Sequence, residues 1–228
     1  MSLPELVQRF VTRTTSDTPV PEVVRVHQEG EMWRKPGSRA MGFTALEEFS
    51  VRHVAFSWNA RFPLMWPLTI TVVDQLSGGA GRLRVSLAGL PLQTQRGAET
   101  NVGQAMRYLA ELVWAPQAIA ANRELEWRSV DSRTVEVECE VAGGTAGVRW
   151  ELDDAGDVVR ATGVRPMPVG KTFVATPWGG DFGEYRDFAG TRVPSLGEAW
   201  WDLPEGRLVY WRGRITAVEP VDDRLAPR

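Results

Sequence analysis

The sequence predicts an α+β fold rich in strands: a strongly curved antiparallel sheet, forming a half-barrel, with one main amphipathic helix across its concave face. Residues 100–116 repeat apolar side chains at helical spacing, whereas most of the remaining chain alternates apolar and polar residues as strands do. A lone helix between strands has to cover one face of a sheet, because neither element can otherwise bury its apolar side. The apolar stripe of the helix consists of Val102, Ala105, Met106, Leu109, Leu112 and Val113.

The strand-like segments predict a meander of about eight to eleven strands joined by short turns. The clearest alternation begins at His53, and glycine-rich turns follow at residues 77–81 and 143–144. Two segments depart from this pattern. Residues 3–13 keep helical spacing and predict a short helix that closes one end, and residues 43–49 predict a single helical turn or an irregular crossing.

Composition narrows the class of protein. The chain of 228 residues shows no repeat and no shift in composition, which indicates a single domain, 1–228. A net charge of −3 with both signs mixed argues against a nucleic-acid binder, and no segment has the apolar length that crosses a bilayer. The first residues lack the pattern of a secretion signal, so a cytoplasmic location is expected. The one cysteine, Cys139, excludes an intrachain disulfide and has the pattern of a buried strand residue.

An excess of aromatic side chains is the main functional signal. Tryptophan combines a large apolar area with one polar tip, which suits the core of a curved sheet and suits the wall of an apolar cavity equally well. Packing is the favoured use, and the cavity stays open as the second. Of the ten tryptophans, those assigned to this interior are Trp58, Trp66, Trp114, Trp127, Trp150, Trp178, Trp200, Trp201 and Trp211.

The first functional hypothesis is a binding protein that holds a hydrophobic small molecule or acyl chain between the concave sheet and the helix. It requires no cofactor, no metal and no catalytic residue, and the sequence does not indicate an oligomeric state. The side chains expected to form the apolar wall are Phe56, Trp58, Met106, Leu109, Val113 and Trp150.

Two alternatives belong to other classes. A small-molecule enzyme could use His53 or His27 with a carboxylate such as Asp74 or Glu111, and it requires these groups to lie within hydrogen-bonding reach. A pocketless interaction domain would instead expose a large apolar patch. Asp74 itself follows a β-branched run and is predicted at the end of a strand, with a role as a buried carboxylate as the alternative.

The side of the helix opposite the apolar stripe carries Arg107, Glu111 and Trp114. Arg107 and Glu111 are four residues apart and can pair, and this pair is predicted to lie on a solvated face. For Trp114, two interpretations stay equally open: burial under a neighbouring loop, and a position facing protein or a ligand space on a helix that is covered on two sides.

Several motifs resemble those of an uncharacterised bacterial family of unknown function, and this resemblance implies no activity. The order of elements also looks like the half-barrel of bacterial lipoprotein carriers, in which a curved antiparallel sheet wraps a helix-plugged apolar cavity that accepts acyl chains. This second resemblance implies the fold and an acyl-chain ligand, although a fold does not fix a function. The motifs are VRVHQEGEMW (24–33), FTALEEF (43–49), AFSWNARF (55–62), VVDQLSGGAGRL (72–83), RYLAELVWAP (107–116), WELDDAGDVV (150–159) and GEAWWDLPEGRLVYWRGR (197–214).

Overall fold

The computed structural model describes residues 3–15 and 20–222. Residues 1–2, 16–19 and 223–228 of the predicted domain lie outside the described residues. Strands make up 61% and helices 15% of the described residues, and these strands form one antiparallel half-barrel sheet. The helical elements are α1 (Glu5–Thr14), α2 (Ala98–Glu111), a 3-10 turn (Leu112–Trp114) and α3 (Pro116–Ala121). The strands are β1 (Val23–Met32), β2 (Met41–Ser50), β3 (Phe56–Pro63), β4 (Thr69–Ser77), β5 (Ala80–Leu87), β6 (Leu90–Gln95), β7 (Glu126–Ser129), β8 (Thr134–Val141), β9 (Gly144–Leu152), β10 (Val158–Val169), β11 (Thr172–Phe188), β12 (Thr191–Leu203) and β13 (Gly206–Val221).

The sheet consists of two meanders that meet in its middle. Its strand order is β6-β5-β4-β3-β2-β1-β13-β12-β11-β10-β9-β8-β7, so the first strand of the chain pairs with the last. The chain runs outward from β1 to the edge at β6, and the helices then carry it across to the opposite edge at β7. The predicted curved antiparallel sheet with one main helix is confirmed, and the described residues form thirteen strands in place of the expected eight to eleven.

Strand β2 corrects the prediction of a helical turn at residues 43–49. Its side chains alternate, and Phe43, Ala45, Glu47 and Phe49 are buried on the inner face. The strand pairs with β1 on one side and β3 on the other. The local helix propensity of this segment is weak compared with these two ladders of hydrogen bonds. The alternation was not recognised because a glutamate, Glu47, occupies one of the inward positions.

Strand β3 begins later than the alternation predicted. It starts at Phe56, and His53 lies in the bend that connects β2 to β3. The backbone N–H of Ala55 donates to the carbonyl of His53 at 2.8 Å, which is a turn and not a ladder contact. The alternating pattern therefore continued through the bend and did not mark where the strand begins.

Helix α2 is shorter than predicted. It ends at Glu111, and a 3-10 turn and α3 follow. Pro116 has no amide hydrogen and disfavours helical backbone at the residue before it, and Ala115 accordingly has φ −131° and ψ 58°. The predicted apolar stripe is buried, with Val102 half-buried at its start.

Protein covers α2 on both sides, because the two limbs of the sheet meet around it. The helix contacts β4 and β5 on one limb and β8 to β11 on the other. Asn101 joins the limbs directly: its Oδ1 accepts from the backbone N–H of Gly81 at 2.7 Å, and its Nδ2 donates to the carbonyl of Ala142 at 2.5 Å. Ala142 also donates to the carbonyl of Gly79 at 3.0 Å. The helix therefore plugs the half-barrel.

The predicted N-terminal helix is present as α1, which packs on α3 and β12. Phe10 meets Trp150 edge-on at 5.8 Å between ring centroids. Trp114 lies at the centre of the half-barrel, 1% exposed, where its Nε1 donates to the carbonyl of Pro194 at 3.0 Å. A side chain on Gly197 would approach the Trp114 ring to 3.0 Å, so this glycine leaves room for the indole. Of the two interpretations left open for Trp114, the structure shows burial against protein.

Candidate functional site

A cavity of about 400 Å³ lies between α2 and the concave face of the sheet. Its volume falls within the usual range of small-molecule sites, roughly 300–1,000 Å³. Seven aromatic side chains line it, together with aliphatic side chains such as Met167 and Leu208 and with a group of polar and charged ones. The aromatic residues that line it are Trp33, Trp58, Phe173, Trp178, Trp201, Tyr210 and Trp211.

A polar stripe of α2 forms the other wall. Thr100, Gln104, Arg107 and Glu111 recur at spacings of four, three and four, so they share one side of the helix, and all four line the cavity. The helix thus presents two faces to the protein interior. The apolar stripe packs into the core, and the polar stripe faces β4 and the cavity.

Arg107 is the centre of a buried ion cluster. Its Nη1 lies 2.8 Å from Oδ2 of Asp74, its Nη2 lies 3.1 Å from Oε1 of Glu47, and its Nε lies 2.9 Å from Oε2 of Glu111. The predicted solvated face is therefore wrong, because carboxylates on β2 and β4 face inward to meet the guanidinium. Asp74 is likewise not at a strand end but within β4, and it is buried.

Hydrogen bonds from neighbouring side chains fix the positions of the residues in the cluster. Gln28 donates from Nε2 to Oε2 of Glu47 at 2.7 Å, and its own Oε1 accepts from Nε1 of Trp58 at 2.8 Å. The guanidinium of Arg107 lies 4.7 Å from the centroid of the Trp58 ring. Gln104 donates from Nε2 to Oδ1 of Asp74 at 2.9 Å. Each member of the cluster is therefore fixed by at least one neighbour.

The cluster contains one cation and three carboxyl groups, and this excess of acidic groups favours the protonated form of Glu47. Burial raises the pKa of Glu47 well above its usual value of 4.5, the charge of Glu111 raises it further, and Arg107 partly opposes both. For Arg107, burial alone would lower the pKa, but the charges of Glu111, Glu47 and Asp74 together raise it. The guanidinium therefore stays charged.

Glu47 makes stability depend on pH. The folded chain holds the Glu47 proton above pH 4.5, where the unfolded chain releases it. Between the two pKa values the free energy of unfolding therefore falls by about 1.4 kcal/mol per pH unit, and below pH 4.5 no penalty remains. We expect Glu47→Gln, which is uncharged at every pH, to remove this decline in urea unfolding measured over a pH series.

The control for this prediction is Glu22→Gln, because Glu22 forms an exposed ion pair with Arg52 at 3.2 Å. It should keep the wild-type pH dependence above pH 4.5. Parallel curves for wild type and Glu47→Gln would contradict the prediction.

The six residues expected to form the apolar wall all lie inside the half-barrel. Trp58 lines the cavity. The other five are 1% exposed or less and pack within the core beside α2, where their contact with a ligand stays a prediction. They are Phe56, Met106, Leu109, Val113 and Trp150.

The geometry that the enzyme alternative requires is not present in the described part of the chain. His53 lies 2.8 Å from Glu124, and His27 lies 3.4 Å from Glu219, so each histidine has a carboxylate other than the expected ones. Asp74 and Glu111 both bind Arg107. His27 also alternates with inward residues of β1 and faces the outer side of the sheet, away from Asp74.

A second, larger opening of about 1,060 Å³ lies on the outer face of the sheet. Charged residues of both signs line it, among them Glu29, Glu31 and Arg61. Arg212 and Glu198 form an ion pair at 2.9 Å across it. Charged residues also line the inner cavity, but seven aromatic side chains line it, against Phe43 and Phe182 in the outer opening, so the inner cavity is the candidate site for an apolar ligand.

The sequence prediction missed most of the cavity wall. Trp33 was not assigned to the interior, and Phe173 and Tyr210 were not singled out, although all three line the cavity. Glu47 was hidden by the wrong assignment of β2. The signal that could have found it is the alternation of Phe43 and Phe49 with a glutamate between them at an inward position.

Trp66 is an exception to the inward assignment of the tryptophans. It is 94% exposed, in the connection between β3 and β4. Its neighbours Leu64, Met65 and Leu68 are exposed as well. A short exposed apolar run is thus present together with a cavity, whereas the interaction-domain alternative required a large patch and no cavity.

Comparison with models of protein families identifies the family of this chain. The model of a family of unknown function, DUF6544, matches residues 1–213. The chain belongs to this family. A search of the curated proteins found no match for this DUF6544 member.

Solved structures confirm the fold of this DUF6544 protein. A putative outer membrane lipoprotein-sorting protein domain from Vibrio parahaemolyticus is similar with a TM-score of 0.54 and 10% identity, over 94% of this chain and 90% of that one. A LolA superfamily protein from Nitrosomonas europaea is similar with a TM-score of 0.50 and 9% identity, over 100% and 96% of the two chains. The predicted resemblance to the lipoprotein-carrier layout is therefore confirmed for the fold.

Proposed function

We propose that this DUF6544 protein binds a hydrophobic small molecule or an acyl chain in the cavity between α2 and the concave sheet. The observation that carries the proposal is the aromatic wall around a volume of about 400 Å³. Burying an apolar ligand there removes apolar area from water at roughly 25 cal/mol per Å². Indole and phenol rings such as Trp201 and Tyr210, stacked at 6.0 Å between centroids, supply that area with little conformational freedom to lose.

Two cations of the cavity wall suit an anionic end on such a ligand. Among the described residues, neither Arg34 nor Arg165 has a carboxylate within ion-pair distance, unlike Arg107. Arg165 is held in place, because its Nε donates to the carbonyl of Gly103 at 3.0 Å and its guanidinium lies 4.7 Å from the Trp178 ring centroid. A guanidinium binds a carboxylate with two parallel hydrogen bonds. An acyl chain with a free carboxylate therefore fits both parts of the wall.

The structural comparison supports the same class of ligand. The similar protein domain from Vibrio parahaemolyticus is described as a putative outer membrane lipoprotein-sorting protein domain. At this low identity the likeness concerns the fold, so the ligand class rests mainly on the lining of the cavity.

Binding of a fluorescent fatty-acid analogue to delipidated protein tests the proposal. We expect saturable binding at micromolar concentration, displaced by unlabelled palmitate. Ala199 lines the cavity, so Ala199→Phe places a ring inside it and should weaken binding by about tenfold, which corresponds to about 1.4 kcal/mol.

The matched control is Ala155→Phe, since Ala155 is exposed in the turn between β9 and β10. It should bind the analogue as the wild type does, and the melting temperature of each variant shows whether it is folded. Absence of saturable binding by the wild type would refute the proposal, and equal binding by the folded Ala199→Phe variant would place the ligand elsewhere.

A further inference from the structure

The connection between β3 and β4 forms an exposed apolar tip, which we define as residues 64–68. All five residues are apolar and exposed, with Met65 at 73% and Trp66 at 94% exposure. Single exposed apolar residues are ordinary on a protein surface, whereas an uninterrupted run that includes a fully presented indole marks an interaction site. The cavity does not use the tip, since none of its residues lines it.

Cations stand beside the tip. The connection between β1 and β2, residues 33–40, lies at the same end of the strands as the tip, because β1 to β4 are consecutive antiparallel neighbours. It carries Arg34, Lys35 and Arg39, all exposed, and it contains no acidic residue. This end of the sheet thus combines exposed apolar side chains with positive charge.

The candidate ligand cavity extends to the same end of the sheet. Trp33 and Arg34 belong to the cationic connection and also line the cavity. Whatever surface the tip contacts would therefore lie next to the route by which a ligand enters or leaves.

The combination fits a lipid bilayer better than a protein partner. Tryptophan prefers the boundary between lipid headgroups and acyl chains, and basic residues near it are attracted to anionic headgroups. A stable protein–protein interface needs roughly 1,000 Å² of buried surface, which a tip of five residues does not supply alone. None of the helices in the described part of the chain is long and apolar enough to cross a membrane.

We propose that residues 64–68 insert into the surface of a bilayer containing anionic lipids, with Lys35 and Arg39 contacting the headgroups. The cavity then faces the membrane. This inference goes beyond the proposed ligand-binding function and stands without it, because it depends on the exposed tip and its neighbouring charges.

Co-sedimentation of the full chain with lipid vesicles tests the inference. We expect binding to vesicles of phosphatidylcholine mixed with phosphatidylglycerol, and binding at least about tenfold weaker for the double variant Met65→Ser with Trp66→Ser. The double variant Lys35→Glu with Arg39→Glu should lose the preference for the anionic lipid. Neither pair lines the cavity, so uptake of the fatty-acid analogue should be unchanged in both variants.

The control removes two exposed apolar side chains elsewhere, Val20→Ser before the start of β1 and Val130→Ser after β7, and should bind vesicles as the wild type does. Failure of the wild type to bind anionic vesicles would overturn the inference, as would equal binding by the tip variant. Sedimentation equilibrium without vesicles tests the alternative that the tip binds a second copy of the chain. A wild-type dimer that becomes monomeric in the tip variant would assign the tip to a second copy of the chain and overturn the membrane proposal.

Discussion

Replacing Arg107 with methionine is expected to lower the free energy of unfolding by about 3–5 kcal/mol, the cost of removing one partner from a buried ion pair. Asp74, Glu47 and Glu111 would then lie inside the half-barrel without their cation. Methionine keeps much of the apolar volume that packs on Trp58, so the loss reports the charge and its hydrogen bonds. Urea unfolding of the variant and the wild type measures it.

An exposed arginine provides the matched control. Arg52 pairs with Glu22 at 3.2 Å, and its side chain is half exposed. Arg52→Met should therefore cost less than about 1 kcal/mol, because water screens the pair. If Arg107→Met cost no more than Arg52→Met, the cluster would not stabilise the position of α2 in the way that its geometry indicates.

Trp114→Ala should have a loss of similar size, about 3–5 kcal/mol, from a different cause. The indole fills the centre of the half-barrel, where it meets Phe182 edge-on at 5.7 Å and lies 5.9 Å from Trp211. Its removal leaves a cavity and also leaves the carbonyl of Pro194 without its donor. Thermal unfolding followed by circular dichroism measures the change.

The same substitution at an exposed position isolates the effect of burial. Trp66→Ala should change the free energy of unfolding by less than about 0.5 kcal/mol, since Trp66 is 94% exposed. Similar losses at the two positions would show that tryptophan contributes through some property other than its packing, and the assignment of Trp114 to the core would be wrong.

The sequence predicted the fold well where periodicity was strong. The apolar stripe from Ala105 to Val113 predicted a helix covered by the sheet, and the alternation around Trp58 predicted a strand with one apolar face. Periodicity could not locate where His53 leaves the strand pattern. It also missed that Pro116 divides the helical segment, because an apolar stripe continues through a break in the backbone.

The site was harder to predict than the fold, since it depends on pairs of residues that are distant in the chain. Arg107 and Glu111 look like a solvated pair when the helix is considered alone. Their burial follows only from the approach of Glu47 and Asp74, which lie 60 and 33 residues from Arg107. A carboxylate at an inward strand position was the available signal, and it indicates a buried partner without identifying it.

The position of β13 has a consequence for how the protein is made. This strand joins the two meanders at the middle of the sheet, yet among the described residues it is the last strand to be synthesised. Until it emerges, β1 and β12 each present an open edge with unpaired backbone groups, and such edges template pairing between chains. A nascent or prematurely terminated chain that lacks residues 206–221 is thus expected to expose two unpaired strand edges and to associate with neighbouring chains more readily than the complete one.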